Sequence, residues 1–218
     1  MNNKDILEVW GYKTYRPFRI YWILHEYELS YKSIKIGSRT GETQTKKYLK
    51  MNPKGKIPIL KHKNIIINES VAAVNYITYN FKKPKSFFIP ETAFDKAKVD
   101  EWCFFSIMEL DCLVIYTLRR HELEENNGLA NLYGKAPNAI KTAREHFNRM
   151  INSCKNSIPE DGFLLGKNLS VADIMFASSL MHCDRFNLEI KSKNVMKYLE
   201  RIKRRKQYLD AYFDCFNK

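Results

Sequence analysis

Two short stretches carry residue types that could do chemistry. The first is NPKGKIPIL, Asn52 to Leu60, in which Pro58 interrupts a segment that otherwise reads as a strand. A proline cannot donate to a β-ladder, so it must occupy a special place. One such place is a cis bond, which turns the N–H and C=O of the preceding residue, Ile57, outward to meet a ligand. The second stretch is Asn68-Glu69-Ser70, which ends a strand and opens a helix. Helix N-termini present unpaired N–H groups and a partial positive charge, and so bind carboxylates. The Ser70 hydroxyl can add a donor there, or Glu69 and Ser70 can simply cap the helix.

Other chemistries find little support. The five cysteines, Cys103, Cys112, Cys154, Cys183 and Cys215, are odd in number and show no CxxC spacing. Neither a disulfide framework nor a zinc site is indicated, and the five histidines are scattered. No metal is expected. The formal net charge is +13. A basic chain can bind nucleic acid, but these lysines are spread between apolar helix positions, as on a solvated surface. The dense run RIKRRK, Arg201 to Lys206, reads as a solvated helix face. No apolar stretch approaches the roughly 18 residues a membrane helix needs. The opening MNNKDILEVW has no basic segment followed by an apolar one, so a cytoplasmic chain without a secretory leader is expected.

The elements that must position the two stretches follow from periodicity. Ile6 to Trp10 reads as a strand, and Arg16 to Glu28 as a helix with Ile20, Ile23, Leu24 and Tyr27 on one face. Tyr31 to Ile36 alternates with period two. A short helix is expected over Thr43 to Lys50, then strands at Ile57 to Leu60 and Ile65 to Ile67, and a helix from Ser70 to Tyr79. The order is β-α-β-α-β-β-α. FKKPKSFFIPE, Phe81 to Glu91, contains two prolines and no sustained period, and is read as a linker. Helices are expected over Thr92–Arg120, Pro137–Ser157, Val171–Cys183 and Val195–Phe216, the last with one break. The predicted organisation is an α/β domain over residues 1–80, a linker over 81–91 and an all-helical domain over 92–218. Ser170 and Asp173 are assigned to a helix cap, not to catalysis.

NPKGKIPIL and NESVAAVNYI, at this spacing inside a β-α-β-α-β-β-α chain, resemble the cytosolic glutathione S-transferases, and FLLGKNLSVADIMFASSL resembles the same family's C-terminal half. The resemblance spans residues 6 to 215. It is to the serine/threonine type, of bacterial kind, since no cysteine lies near the first helix. It implies a thioredoxin-like N-terminal domain and an all-α C-terminal domain. The implied activity is attack of a protein-stabilised glutathione thiolate on a small hydrophobic electrophile, by conjugation or by peroxide reduction. A free thiol has a pKa near 8.5, so the protein must stabilise the anion, and a hydroxyl donating to sulfur does so.

By resemblance, Thr14 falls where serine-type relatives place that hydroxyl. It could also be a plain N-cap, and Tyr12 is the reserve donor. Lys56 would meet the glycyl carboxylate, with Gln44 as a further glycyl-end contact. Ile57 beside Pro58 would pair with the cysteinyl backbone. Glu69 would face the γ-glutamyl amine and Ser70 its carboxylate. Tyr12, Tyr15 and Tyr116 would line the second-substrate pocket. A homodimer is implied as well. A non-enzymatic protein-binding module on the same fold, like stringent starvation protein A or elongation-factor-associated domains, is the competing reading.

Overall fold

The computed structural model describes residues 6–123 and 128–217. The opening residues 1–5, on which the expectation of no leader partly rests, lie outside them. The chain forms two compact units: Met1–Ile89 together with Ile202–Lys218, and Pro90–Arg201.

In the first unit β1 (Leu7–Trp10) buries Leu7 and Val9 and turns Glu8 and Trp10 to the other face, the period of a half-buried strand. α1 (Tyr15–Glu26) follows, nearly all of its length buried, and then β2 (Tyr31–Ile34), which runs parallel to β1. The helix expected over Thr43–Lys50 is divided into a 3-10 turn at Glu42–Gln44 and α2 (Lys46–Met51). Thr45 between them is extended, and its hydroxyl accepts from the Tyr48 N–H. β3 (Ile59–His62) and β4 (Ile65–Ile67) complete a four-stranded mixed sheet in the order β2-β1-β3-β4. β3 opens at Ile59, not Ile57, because Pro58 has no N–H to give to the ladder. α3 (Ser70–Asn80) closes the predicted order. Phe87, in the proline-rich stretch, is fully buried against Tyr27 of α1, so the linker is docked rather than loose.

The second unit begins with a single helical run of three segments: α4 (Ala93–Phe104), a π-helical stretch over Phe105–Ile115 and α5 (Tyr116–His121). α6 (Ala130–Tyr133) and the amphipathic α7 (Pro137–Cys154) follow. α8 (Val171–Leu180) is buried along every face, as a helix without a polar side must be. Its start is the expected cap. The N–H and Oγ–H of Ser170 donate to Asp173 Oδ2 at 2.8 and 2.7 Å. Leu164 N–H and Tyr198 O–H each donate to Oδ1 at 2.9 Å. Burial pushes the Asp173 carboxyl above its ordinary value, and these hydrogen bonds pull the other way.

α9 (Lys193–Lys203) leads to α10 (Lys206–Phe216), which packs on α1 through Phe18–Tyr208 and Trp22–Tyr208 ring contacts at 5.4 and 5.1 Å. The basic run read as a solvated face contains two anchors. Arg201 donates to the carbonyls of Pro159, Glu160 and Gly162, and Arg205 makes a bidentate pair with the buried Glu26. No helix among the described residues is long and apolar enough to cross a membrane.

Removing the Asp173 carboxylate strands four donors in a dry interior. Asp173→Ala should therefore lower the unfolding free energy by about 2–4 kcal/mol, and Asp173→Asn by less because one acceptor remains. Urea titration followed by far-ultraviolet circular dichroism measures both.

Candidate functional site

The expected residues Tyr12, Thr14, Tyr15, Gln44, Lys56, Ile57, Pro58, Glu69 and Ser70 all belong to the first unit, on the loops and helix starts that leave its sheet; Tyr116 belongs to the second. The Ile57–Pro58 bond is cis. Among the described residues no hydrogen bond engages the main-chain N–H or C=O of Ile57. Pro58 is buried and Ile57 half-buried at the margin of a small core of Ile36, Tyr48 and Ile59.

The loop before this bond is built by two side chains that sequence reasoning left without a role. Asn52, fully buried, donates from Nδ2 to the Lys56 carbonyl at 2.7 Å and accepts the Lys54 N–H on Oδ1 at 3.2 Å. Tyr48 O–H reaches the same Lys56 carbonyl at 2.8 Å. Burial pushes the Tyr48 phenol up to about 12, so it stays a neutral donor at any ordinary pH. The Lys56 carbonyl is thus doubly held while its side chain is exposed and, among the described residues, makes no ion pair. Gln44 lies against the same loop: a Cβ added to Gly55 would sit 2.5 Å from Gln44 Nε2. Asn52 stood inside the NPKGKIPIL motif, and its offset of four from Lys56 was a signal for a local side-chain-to-backbone bond.

The mouth of α3 closes the other side of the loop. Glu69 is its extended N-cap residue, makes no side-chain cap bond, and pairs instead with Lys54. Asn68 Nδ2 ties this mouth to the Met51 carbonyl at the end of α2, at 2.9 Å. Ser70, 4% exposed, is the first helical residue, and its Oγ accepts from Arg19 Nη1 of α1 at 3.4 Å. Arg19 is 0% exposed and was not singled out from the sequence. Its signal was a lone charge on the apolar face of α1.

Thr14 is the N-cap residue of α1, extended at φ −143° and ψ 155°. A capping role would place its hydroxyl on a helix N–H, yet no such bond is made, and among the described residues its Oγ has no hydrogen-bond partner. Its carbonyl does take part, accepting the Phe18 N–H at 3.2 Å and facing the Cys215 thiol at 3.8 Å. Lys13 before it has φ 55° and donates its N–H to the Cys215 carbonyl at 2.9 Å. Tyr12 and Tyr15 are half-buried on either side; the Lys13 ammonium lies 5.2 Å from the Tyr12 ring centroid, and Tyr15 packs on Phe216. Tyr116 opens α5, with the Arg120 guanidinium 5.6 Å from its ring centroid. Among the described residues no group of three or more His, Cys, Asp or Glu could hold a metal.

What this arrangement offers within one α/β unit is a set of groups not spent on caps or ladders: a hydroxyl at Thr14, a main chain at Ile57, an ammonium at Lys56 and a helix mouth at Ser70. Comparison with known proteins finds one family over both parts of the chain. Residues 6–79 match the family described as glutathione S-transferase, N-terminal domain, and residues 111–206 match glutathione S-transferase, C-terminal domain. Glutathione S-transferase A of Pleuronectes platessa is 24% identical over 209 residues, covering 93% of this chain and 88% of that protein. The fold is similar to that of the glutathione transferase URE2P6 from Phanerochaete chrysosporium in complex with oxidized glutathione. That likeness has TM-score 0.83 and 21% identity, covering 100% of this chain and 99% of the other. It is also similar to the theta class glutathione S-transferase of Xanthomonas axonopodis pv. citri with glutathione bound, with TM-score 0.80 and 18% identity over 97% and 99% of the two chains.

Gly11, between β1 and the Thr14 loop, has φ +123°, and a Cβ there would lie 2.9 Å from Ile57 Cβ. Gly11→Ala should cost about 1–3 kcal/mol of stability through this clash and the backbone change, measured as a lowered thermal midpoint.

Proposed function

The chain belongs to the glutathione S-transferase family, and on that premise we propose that it binds glutathione in its first unit and directs the thiolate at a small hydrophobic electrophile, by conjugation or peroxide reduction. The observation that carries the reading is the free Thr14 hydroxyl: it stands at a helix N-cap, where it would ordinarily accept a backbone N–H, and accepts none. A hydroxyl left in this state can donate to sulfur, and each unit by which it lowers the thiol pKa is worth about 1.4 kcal/mol. The helix-mouth N–H groups behind it favour a negative charge in the same neighbourhood.

The remaining roles follow from the local chemistry. Ile57 pairs its N–H and C=O with the cysteinyl residue of glutathione, as one more strand would. The Lys56 ammonium, with the Gln44 amide beside the same loop, meets the glycyl carboxylate. Ser70 and the α3 mouth take the γ-glutamyl carboxylate, and Glu69 its amine. Tyr12 and Tyr15 flank the donor and form the near wall for the electrophile. The proton of the thiol passes to solvent before attack, and the sulfur lone pair forms the new bond as the leaving group departs, or as the peroxide O–O bond breaks.

The protein is expected to stay on immobilised glutathione, to elute with free glutathione, and to turn over an aryl halide or a hydroperoxide. Loss of both properties, with a protein partner captured regardless of glutathione, would move the chain to the non-enzymatic binding modules. Thr14→Val keeps the shape and removes the O–H. It should raise the pKa of bound glutathione by about one unit or more and lower kcat/KM at neutral pH about tenfold, with glutathione affinity changed less than about threefold. Titration of thiolate absorbance in the binary complex reads the pKa directly. If Thr14→Val is silent and Tyr12→Phe carries the loss, the donor is Tyr12. A second copy of the chain is the expected partner, for Phe94, Phe104 and Met108 leave large apolar side chains exposed along one helical run. Light scattering should return roughly twice the 25.8 kDa chain mass.

A further inference from the structure

We propose that Arg19 is a positioning residue of the glutathione site: by donating to Ser70 Oγ it leaves the Ser70 hydroxyl proton for the γ-glutamyl carboxylate, and so makes that end of the site selective for an anion. The inference rests on the reading above and adds a residue that none of its motifs contains.

A serine hydroxyl has one proton and two lone pairs. Arg19 Nη1 occupies a lone pair of Ser70 Oγ at 3.4 Å. An arginine can only donate, so Ser70 cannot give its proton back to it. Among the described residues nothing else hydrogen-bonds to the Ser70 hydroxyl, and Ser70 is 4% exposed. A buried O–H without an acceptor is costly, and a ligand carboxylate supplies one. The N–H groups of the first turn of α3, an eleven-residue helix, have no intrahelical partner either. Donors of one polarity therefore gather at the start of α3: an O–H whose oxygen already accepts from behind, and the helix-mouth N–H groups.

The charge behind them matters as well as the geometry. Arg19 is 0% exposed, one of the largest fully buried side chains in the chain. A guanidinium is charged at every accessible pH, and beneath a protein surface its field is weakly screened by salt. It lies one hydrogen bond behind the anion it favours. A cationic or neutral group at that position gains nothing from it.

The experiment compares two ligands by calorimetry: glutathione, and 4-aminobutyryl-cysteinylglycine, which lacks only the γ-glutamyl carboxylate. The wild type should prefer glutathione about tenfold or more. Arg19→Met should erase most of that preference by weakening glutathione binding about tenfold, leaving the analogue within about twofold. Arg19→Lys, which keeps a donor and a charge, should retain most of it. Arg19→Gln serves as a second neutral variant where Arg19→Met lowers the melting temperature. A purely architectural arginine would weaken both ligands alike, and that result overturns the proposal. So does a Ser70→Ala variant that keeps the full preference, whatever the Arg19 variants do. Failure of the wild type to bind glutathione at all would instead remove the parent reading.

Discussion

Gly11 and Ile57 approach so closely that no side chain fits between them, and the edge of the first unit that carries Thr14 and Ile57 is built around that contact. The Gly11 N–H donates to the Ile34 carbonyl at 3.0 Å, and its own carbonyl accepts from Tyr21 O–H at 3.2 Å. On its open face it meets Ile57 and Pro17. One residue therefore touches the end of β2, the body of α1 and the residue before Pro58. Thr14 is only three positions further along, so the hydroxyl and the Ile57 main chain are held to one frame. Tyr48 and Asn52 complete the frame from the far side by fixing the Lys56 carbonyl.

Within that frame hydroxyl groups divide into two kinds. Thr45 accepts the Tyr48 N–H, Thr92 accepts the Asp95 N–H and Ser170 donates to Asp173, each at the start of a helix and each fully engaged in holding it. Thr14 and Ser70 also stand at helix starts but do no capping. α1 and α3 forgo about 1 kcal/mol each by this arrangement. Both helices are instead held by burial of their apolar faces, which makes the cap dispensable. Among the described residues Thr14 leaves its hydroxyl without a partner, Ser70 accepts only from Arg19 behind it, and both lie on the same unit.

Most of this frame was legible in the sequence. The element order, the proline motif and the Glu69-Ser70 helix start depend on local signals, namely period, ring constraint and capping chemistry, which a linear chain displays. The same holds for the cap at Ser170 and Asp173. What the sequence concealed depends on contacts between distant residues. Arg19 reads as one charge on an amphipathic helix until Ser70, fifty-one positions away, meets it. Arg201 and Arg205 read as surface charge until the carbonyls of residues 159–162 and the carboxylate of Glu26 claim them. The division of the second helix at Thr45 is a smaller case, in which an extended, capping threonine starts a new helix inside the polar stretch expected to form one.

The return of residues 202–218 to the first unit is the least local feature and bears directly on the loop before Thr14. α10 lies along α1, and its last turn holds the loop that precedes Thr14: the Cys215 carbonyl takes the Lys13 N–H, and Phe216 packs on Tyr15. Lys13 adopts φ 55°, which costs a non-glycine residue about 1 kcal/mol, and this pair of contacts holds it there. The thiol that faces the Thr14 carbonyl is thereby poorly able to react. Cys215 is fully buried, and burial pushes its thiol up to about 12, so it carries no thiolate at neutral pH. Residues 215 and 216 thus shape the loop through a carbonyl and a ring. At that loop the Thr14 hydroxyl is left without a partner among the described residues, and the cysteine beneath it is part of the scaffold.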